Sequence, residues 1–347
     1  MTIETGKRNN VLDITKGLLI ILVVIYHAMG KLKPDILVNL DNGLFNMIGS
    51  FFMLTFLIIS GYLVYGKVTG KGWLRSHIIK WFIPLLLFSL IYWIVGYFAP
   101  SIIHFNGYYN VPLKDYLVFT LSNGFGGLVL WYVWCLISCY VLALIAERIS
   151  LRLKIPLWVT ITIILITLNV IPFTYLGVIT TKWYSIFFFI GYLIKRYQDT
   201  KFVKITSKLT YACILLFPIA GYLLNWMVGY QYDGYLGIAY LPGMIANGHY
   251  SLIGIMVGMA LLGSGFIYAI SMIISKIPYV DKAVIYIGIN SLGIYLIHIM
   301  FVGITPNVIL SASISLTIAL VLYKMLSKWQ IMNKYLFGSE KIMLKQS

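Results

Sequence analysis

The stretch VLDITKGLLIILVVIYHAM, residues 11–29, decides the fold. It is long and apolar enough to cross a bilayer as one α-helix, although it contains Lys16 and His27. An ionisable group inside such a helix costs roughly 2.5–3.5 kcal/mol on insertion, so each one suggests a function. Lys16 and His27 are eleven positions apart, about three turns, and therefore share one helix face, with ~16 Å between them along the axis. One helix thus carries a cation near one membrane surface and an acid–base group near the other.

The composition of the whole chain indicates an integral membrane protein. Of its 347 residues, 61% are hydrophobic and 10% are charged, whereas soluble domains have about 25% charged residues. We predict an all-α polytopic membrane protein, a single domain over residues 1–347, with about ten transmembrane helices. The ten apolar segments are 11–30, 44–65, 78–99, 127–146, 155–175, 176–195, 208–228, 250–273, 284–304 and 307–326.

The basic residues predict the orientation of these segments. Of the 26 Lys and Arg residues, 21 fall in loops on one side, four in loops on the other, and Lys16 lies within the membrane. The positive-inside rule then places both termini in the cytoplasm. The net charge of +16 is explained by topology and attraction to anionic lipid, without a nucleic acid partner. Two longer loops, about residues 100–126 and 229–249, are rich in Gly and Tyr and can fold back over a membrane cavity.

Two histidines are the first candidates for chemistry. His27 lies about sixteen residues into the first segment and His298 about fourteen into the ninth, which starts on the same side, so their depths should be similar. Imidazole is the side chain best suited to moving a proton near neutral pH. For His298, a packing role fits the sequence as well as a chemical role does. For His27 a packing role fits less well, because His27 shares its helix with Lys16. Asp13 precedes Lys16 by three residues and is predicted to pair with it.

Other polar and aromatic residues have both a functional and a structural interpretation. Arg75 and Lys80, at the cytoplasmic mouth of the third segment, can bind phosphate together with Lys16, but helix anchoring explains the same charges. Ser60 is a possible nucleophile without a base nearby in sequence, and its Ser-Gly pair favours close helix packing. Trp131 either belongs to the interfacial aromatic belt or stacks on a sugar. The three cysteines lack metal-ligand or disulfide spacing, so no metal is predicted.

Six elements of the chain, in this order, resemble motifs of the acyltransferase-3 family of multi-pass membrane acyltransferases, especially its fucose-4-O-acetylase-like branch. These elements are residues 13–27, 60–63, 75–84, 130–132, 187–192 and 290–298. Where the family usually has Arg, this chain has Lys16, which keeps the charge but loses the bidentate geometry. We expect no appended extracellular hydrolase-like domain, which some members have.

The resemblance implies transfer of an acyl group, usually acetyl, from cytosolic acyl-CoA to a hydroxyl of a cell-surface or lipid-linked glycan. The protein would then be a multi-pass protein of a cell membrane, of the bacterial type. Arg75 and Lys80 would hold the CoA phosphates, Lys16 would position the donor, and His27 would be a general base or a transient acyl carrier. Further substrate contacts are expected from His298, Trp131, Ser60, Tyr295 and Asp13.

Two other functions fit parts of the sequence. A polysaccharide or lipid transporter would line its pathway with Lys16 and His27. The ten carboxylates, none clearly within a segment, count against a proton-driven transporter. A structural membrane subunit without activity predicts that replacing Lys16 or His27 changes only stability. The sequence carries no signal for the oligomeric state.

Overall fold

In a bilayer the backbone has no water to bind, so a spanning segment satisfies its own hydrogen bonds as a helix. The computed structural model describes residues 9–32, 43–100, 111–124, 130–171, 173, 175–227 and 250–338, and these residues form helices and turns without a β-strand. The helices are α1 (Asn10–Leu32), α2 (Gly43–Gly49), α3 (Phe52–Val64), α4 (Trp73–Phe98), α5 (Leu113–Ser122), α6 (Trp131–Leu153), α7 (Leu157–Val170), α8 (Val178–Arg196), α9 (Lys201–Leu209), α10 (Cys213–Met227), α11 (Tyr250–Ile274), α12 (Val280–Ile289), α13 (Ser291–Ile297), α14 (Val308–Leu326) and α15 (Gln330–Phe337).

Helix α1 lies at the centre of the helix packing. It contacts α2, α3, α11, α12, α13 and α14. Asn9 begins it by accepting a hydrogen bond from the backbone N–H of Leu12 at its side-chain oxygen. A methyl group added at Gly17 or at Gly288 would collide with the backbone of the opposite helix, so α1 and α12 cross at glycine contacts. This crossing brings the polar start of α1 against the broken part of the chain around residue 290.

Helices α3 and α8 pack through a second pair of glycines. A Cβ at Gly61 would overlap the backbone oxygen of Phe188, and one at Gly191 would overlap that of Ile58. Small residues at such a crossing let the two backbones approach closely, which is a main source of helix association in membranes. The close packing expected from the Ser-Gly pair at residues 60–61 is therefore confirmed.

The ninth predicted segment is a bent pair of helices rather than one straight helix. Helices α12 and α13 meet at Asn290 with an angle of 61° between them. The side-chain amide of Asn290 donates to the carbonyl of Tyr286, and a 3-10 turn, His298–Met300, continues α13. The bend turns the end of this pair back toward α1, which it contacts through both α13 and the 3-10 turn.

Six helices are long and apolar enough to cross a membrane, or seven if the bent pair α12–α13 is one span, within the described ranges. Each of the ten predicted segments contains a helix, but ten spans are not confirmed. Helix α7 has 14 residues, about 21 Å, which is shorter than the ~30 Å hydrocarbon core. The first two turns of helix α8 include Lys182, whose ammonium donates to the carbonyl of Ile171.

Large apolar side chains remain exposed on the outer faces of several helices, as expected of a surface that meets lipid. Examples are Ile94, Ile166 and Leu215. The predicted loop at 229–249 lies outside the described residues. The predicted loop at 100–126 is described at residues 100 and 111–124, and the second of these stretches includes α5. Both extreme termini also lie outside them, so their cytoplasmic location stays a prediction.

Candidate functional site

A cavity of about 350 Å³ opens between α1, α3, α4, α6 and the bent pair α12–α13. Most of its wall is apolar. The apolar lining residues are Ile20, Met53, Phe56, Ile59, Leu63, Val64, Trp73, Trp81, Leu136, Ile289 and Leu292. Such a lining excludes water from the walls and suits a flexible, mostly uncharged chain rather than an ion.

Four basic side chains line the same cavity: Lys16, Lys67, His77 and Lys80. Lys16 pairs with Asp13 at 2.7 Å, so the predicted i,i+3 contact is confirmed. Asp13 is largely buried and does not itself line the cavity, whereas the side chain of Lys16 keeps 22% of its surface exposed. Several ammonium groups around one apolar cavity form a site for a phosphate-bearing ligand with an apolar arm.

His77 stacks on Trp73 with ring centroids 3.9 Å apart. Its Nδ1 lies 2.9 Å from the carbonyl oxygen of Trp73. A carbonyl only accepts, so the hydrogen-bond geometry puts the proton on Nδ1. The stacked pair gives the cavity a flat aromatic surface beside its cations.

Arg75, which the sequence suggested as a phosphate contact, does not line the cavity. Along a helix, residues 73, 77, 80 and 81 fall on one face, and Arg75 lies about 200° away from Trp73 at ~100° per residue. Its side chain is exposed on the other side of α4. Lys67, which follows α3 and was not among the predicted site residues, is a cavity residue instead.

The part of the cavity wall nearest to His298 contains hydroxyl-bearing side chains. The hydroxyls of Ser60 and Tyr132 lie 3.0 Å apart. The ring of Tyr132 meets that of Tyr295 edge to face at 5.9 Å, and all three residues line the cavity. The partner of Ser60 is a phenol rather than an imidazole or a carboxylate, so this contact does not make Ser60 an activated nucleophile.

His27 and His298 lie behind this part of the wall. Nδ1 of His27 is 2.9 Å from Nε2 of His298, and the rings stack at 5.1 Å. His298 is fully buried and His27 is 8% exposed. The ring of Tyr295 is 6.2 Å from that of His298, so one aromatic ring separates the histidine pair from the cavity. The structure thus brings together the two histidines that the sequence placed at similar depth.

Trp131 is buried beside the site and does not line the cavity. Its ring stacks on Tyr184 at 4.5 Å, which occupies a face that a sugar would need. Tyr132, the next residue along α6, has the cavity position instead. In the described part of the chain, no group of three or more His, Cys, Asp or Glu side chains is arranged to hold a metal.

Comparison with known proteins gives one match. Residues 9–326 match the family model of the acyltransferase domain that defines acyltransferase family 3. Searches of curated proteins and of solved structures returned no match.

Proposed function

Since the chain belongs to the acyltransferase-3 family, we propose that it moves an acetyl group from cytosolic acetyl-CoA to a hydroxyl of a cell-surface or lipid-linked glycan. It would act as a multi-pass protein of the plasma membrane. The family membership supports the acyl transfer, and the apolar helices support the membrane location. The donor, the acceptor and the residue roles below are the content of the proposal.

One observation carries the proposal: a cavity with cations on its wall ends one aromatic ring away from a buried histidine pair. CoA has phosphates at one end and a thioester at the other, joined by a flexible arm. Lys67 and Lys80 would bind the phosphates, and the apolar wall would surround the arm. The thioester would then reach the Tyr132–Tyr295 end. Lys16, already paired with Asp13, would balance charge along this path.

In the proposed reaction, His27 is the general base. It takes the proton of the acceptor hydroxyl while the hydroxyl oxygen attacks the thioester carbonyl. The carbon–sulfur bond breaks, and the CoA thiolate receives the proton from His27, so the products are the O-acetyl ester and free CoA. A relay through acetylated His27 would use the same residue in two steps. The burial of the pair would keep water, the competing acceptor, away from His27.

The test uses purified protein in liposomes, radiolabelled acetyl-CoA and a panel of hydroxyl-bearing oligosaccharides. We expect acetylated oligosaccharide and stoichiometric CoA thiol from the wild type. His27→Ala should lower the rate about 10²-fold or more, because general-base catalysis contributes about 10²–10⁴. Thr55→Val is the matched control, since it removes a partly buried interhelical hydrogen bond to Ser264, and neither residue lines the cavity.

Wild-type acetyl transfer by His27→Ala would contradict the role of this residue. Vesicles that move an oligosaccharide without consuming acetyl-CoA would favour the transporter instead. A hydroxylamine-sensitive label on the protein, lost in His27→Ala, would identify the relay.

A further inference from the structure

The surroundings of Nδ1 of His298 determine which ring nitrogen of this histidine carries the proton. This nitrogen lies 3.0 Å from the carbonyl oxygen of Ile294 and 2.9 Å from that of Tyr295. Both oxygens belong to the preceding turn of the same helix. Carbonyl oxygens have no proton to give, so the nitrogen that faces them must carry one. His298 is therefore the Nδ1–H tautomer when neutral.

The proton on Nδ1 of His298 fixes the rest of the pair. Its other nitrogen, Nε2, then carries a lone pair and accepts a hydrogen bond. The group within 2.9 Å of it is Nδ1 of His27, which must donate. His27 is then also the Nδ1–H tautomer, and its lone pair is on Nε2. Two backbone carbonyls thus determine, through His298, which nitrogen of His27 is basic.

We propose that His298 is a positioning residue that holds His27 as the Nδ1–H tautomer and makes Nε2 of His27 the proton acceptor. The tautomer assignment stands on the hydrogen bonds alone, while its value for catalysis rests on the proposed function. This role differs from the acceptor contact that the sequence suggested for His298, and neither histidine lines the cavity.

Neighbouring helices hold His298 in place. The hydroxyl of Ser315, on α14, donates to the carbonyl oxygen of His298 at 2.7 Å. The phenol of Tyr92, on α4, donates to the carbonyl oxygen of Leu296 at 2.7 Å. These two hydrogen bonds hold the backbone at His298 and Leu296, and so the position of the His298 ring. A positioning group needs such support, because a small change in orientation lowers catalysis strongly.

The hydrogen bond between Nδ1 of His27 and Nε2 of His298 also assists the proposed proton transfer. When Nε2 of His27 takes the hydroxyl proton, its ring becomes an imidazolium whose Nδ1–H still points at Nε2 of His298. That lone pair stabilises the positive charge, as the third member of a catalytic triad does. When Nε2 of His27 passes its proton to the CoA thiolate, the neutral pair is restored.

The first experiment compares His298→Leu with His298→Gln in the acetyl-transfer assay. Leucine removes the acceptor, whereas the Gln carbonyl can occupy the position of Nε2. We expect His298→Leu to lower kcat about 10²-fold or more, with KM for acetyl-CoA unchanged, and His298→Gln to recover at least about tenfold of this loss. Equal losses in both variants, or a change in KM rather than kcat, would overturn the positioning role.

The second experiment determines the tautomer of His27 by NMR, independently of acetyl transfer. The wild-type protein is labelled with ¹⁵N-histidine, and the signals of His27 and His298 are assigned by comparison with His27→Ala. Protonated and unprotonated ring nitrogens have well-separated shifts. We expect Nδ1 protonated and Nε2 unprotonated in His27. The opposite pattern would refute the inference, even in an active enzyme. If His27 is protonated on Nδ1 but the protein transfers no acetyl group, the proposed function would be refuted and the tautomer assignment would stand.

Discussion

Two ammonium groups reach the cavity from different parts of the chain, Lys67 from the turn after α3 and Lys80 from α4. Their side chains are solvent-exposed, so they are hydrated and able to exchange water for a phosphate. Arg75 has the same charge and lies close in sequence, but on the other face of α4. Replacing Lys67, Lys80 and Arg75 one at a time therefore distinguishes the effect of a cation in the cavity from the effect of net charge.

We expect Lys67→Ala and Lys80→Ala each to raise KM for acetyl-CoA about three- to tenfold with little change in kcat. A hydrogen bond to a charged group contributes about 1.5–3 kcal/mol, and solvent exposure lowers this value. Steady-state kinetics with acetyl-CoA measure the effect, with Arg75→Ala as the control that should stay within about twofold. An equal rise in all three variants would mean that net charge, not the cavity, attracts the donor.

The site residues differ in how far the sequence could reveal them. Lys16 and His27 stand out because each is an ionisable group in an apolar helix. Helical periodicity shows that Arg75 lies on the opposite face of α4 from Trp73 and His77. Lys67 and Tyr132 carry no comparable signal: their place in the cavity depends on tertiary packing between α3, α4 and α6.

At the scale of the elements, glycines determine how closely the helices pack. The crossing of α3 and α8 depends on Gly61 and Gly191, each facing the backbone of the other helix. Ser60, which precedes Gly61, lines the cavity, so this crossing also sets one wall of the site.

Gly61→Ala should destabilise the protein by roughly 1–3 kcal/mol, because the added methyl group forces the backbones of α3 and α8 apart. Thermal unfolding of the detergent-purified protein, followed by tryptophan fluorescence, measures the change. Gly258→Ala in α11 is the matched control, since open space surrounds that position and Ala favours a helix. It should be neutral or slightly stabilising. Equal midpoints for the two variants would argue against a close crossing at Gly61.

The sequence predicted where helices lie better than how long they are. Each apolar segment contains a helix, because hydrophobic residues in a run of this length have few alternatives in lipid. The segment at 155–175 is shorter than predicted because Pro172 keeps the preceding residue out of the helical region, and Ile171 is extended, with ψ of 123°. The bend at Asn290 has no such marker, since neither Pro nor Gly stands at that position.

At the scale of the whole molecule, α1 connects the cavity to the contact between Lys31 and Val302. Its 23 residues extend about 35 Å. Near its beginning, Lys16 shares the cavity with Lys67 and Lys80. Near its end, the ammonium of Lys31 donates to the carbonyl of Val302. The positive-inside rule assigns the first end to the cytoplasm, where an acyl-CoA donor would be found.

Cysteine labelling tests this orientation. Ser76 and Ile304 lie toward opposite ends of α1 and have accessible side chains. In a background where half-buried Cys213 is replaced by Ser, we expect a membrane-impermeant maleimide added outside intact cells to label Ile304→Cys but not Ser76→Cys. Inverted vesicles should give the reverse. Labelling of both positions from one side would reject the proposed orientation.

The edge-to-face contact of Tyr132 and Tyr295 has a consequence for the electrical insulation of the membrane. An open channel from the cytosol to the outer surface would let ions run down their gradients each time a substrate passed. In the proposed reaction, packed rings at the cavity wall would let a two-carbon group change compartments as part of a covalent bond, without an open channel. CoA would stay on its own side, and the bilayer would keep its electrical resistance throughout the proposed exchange.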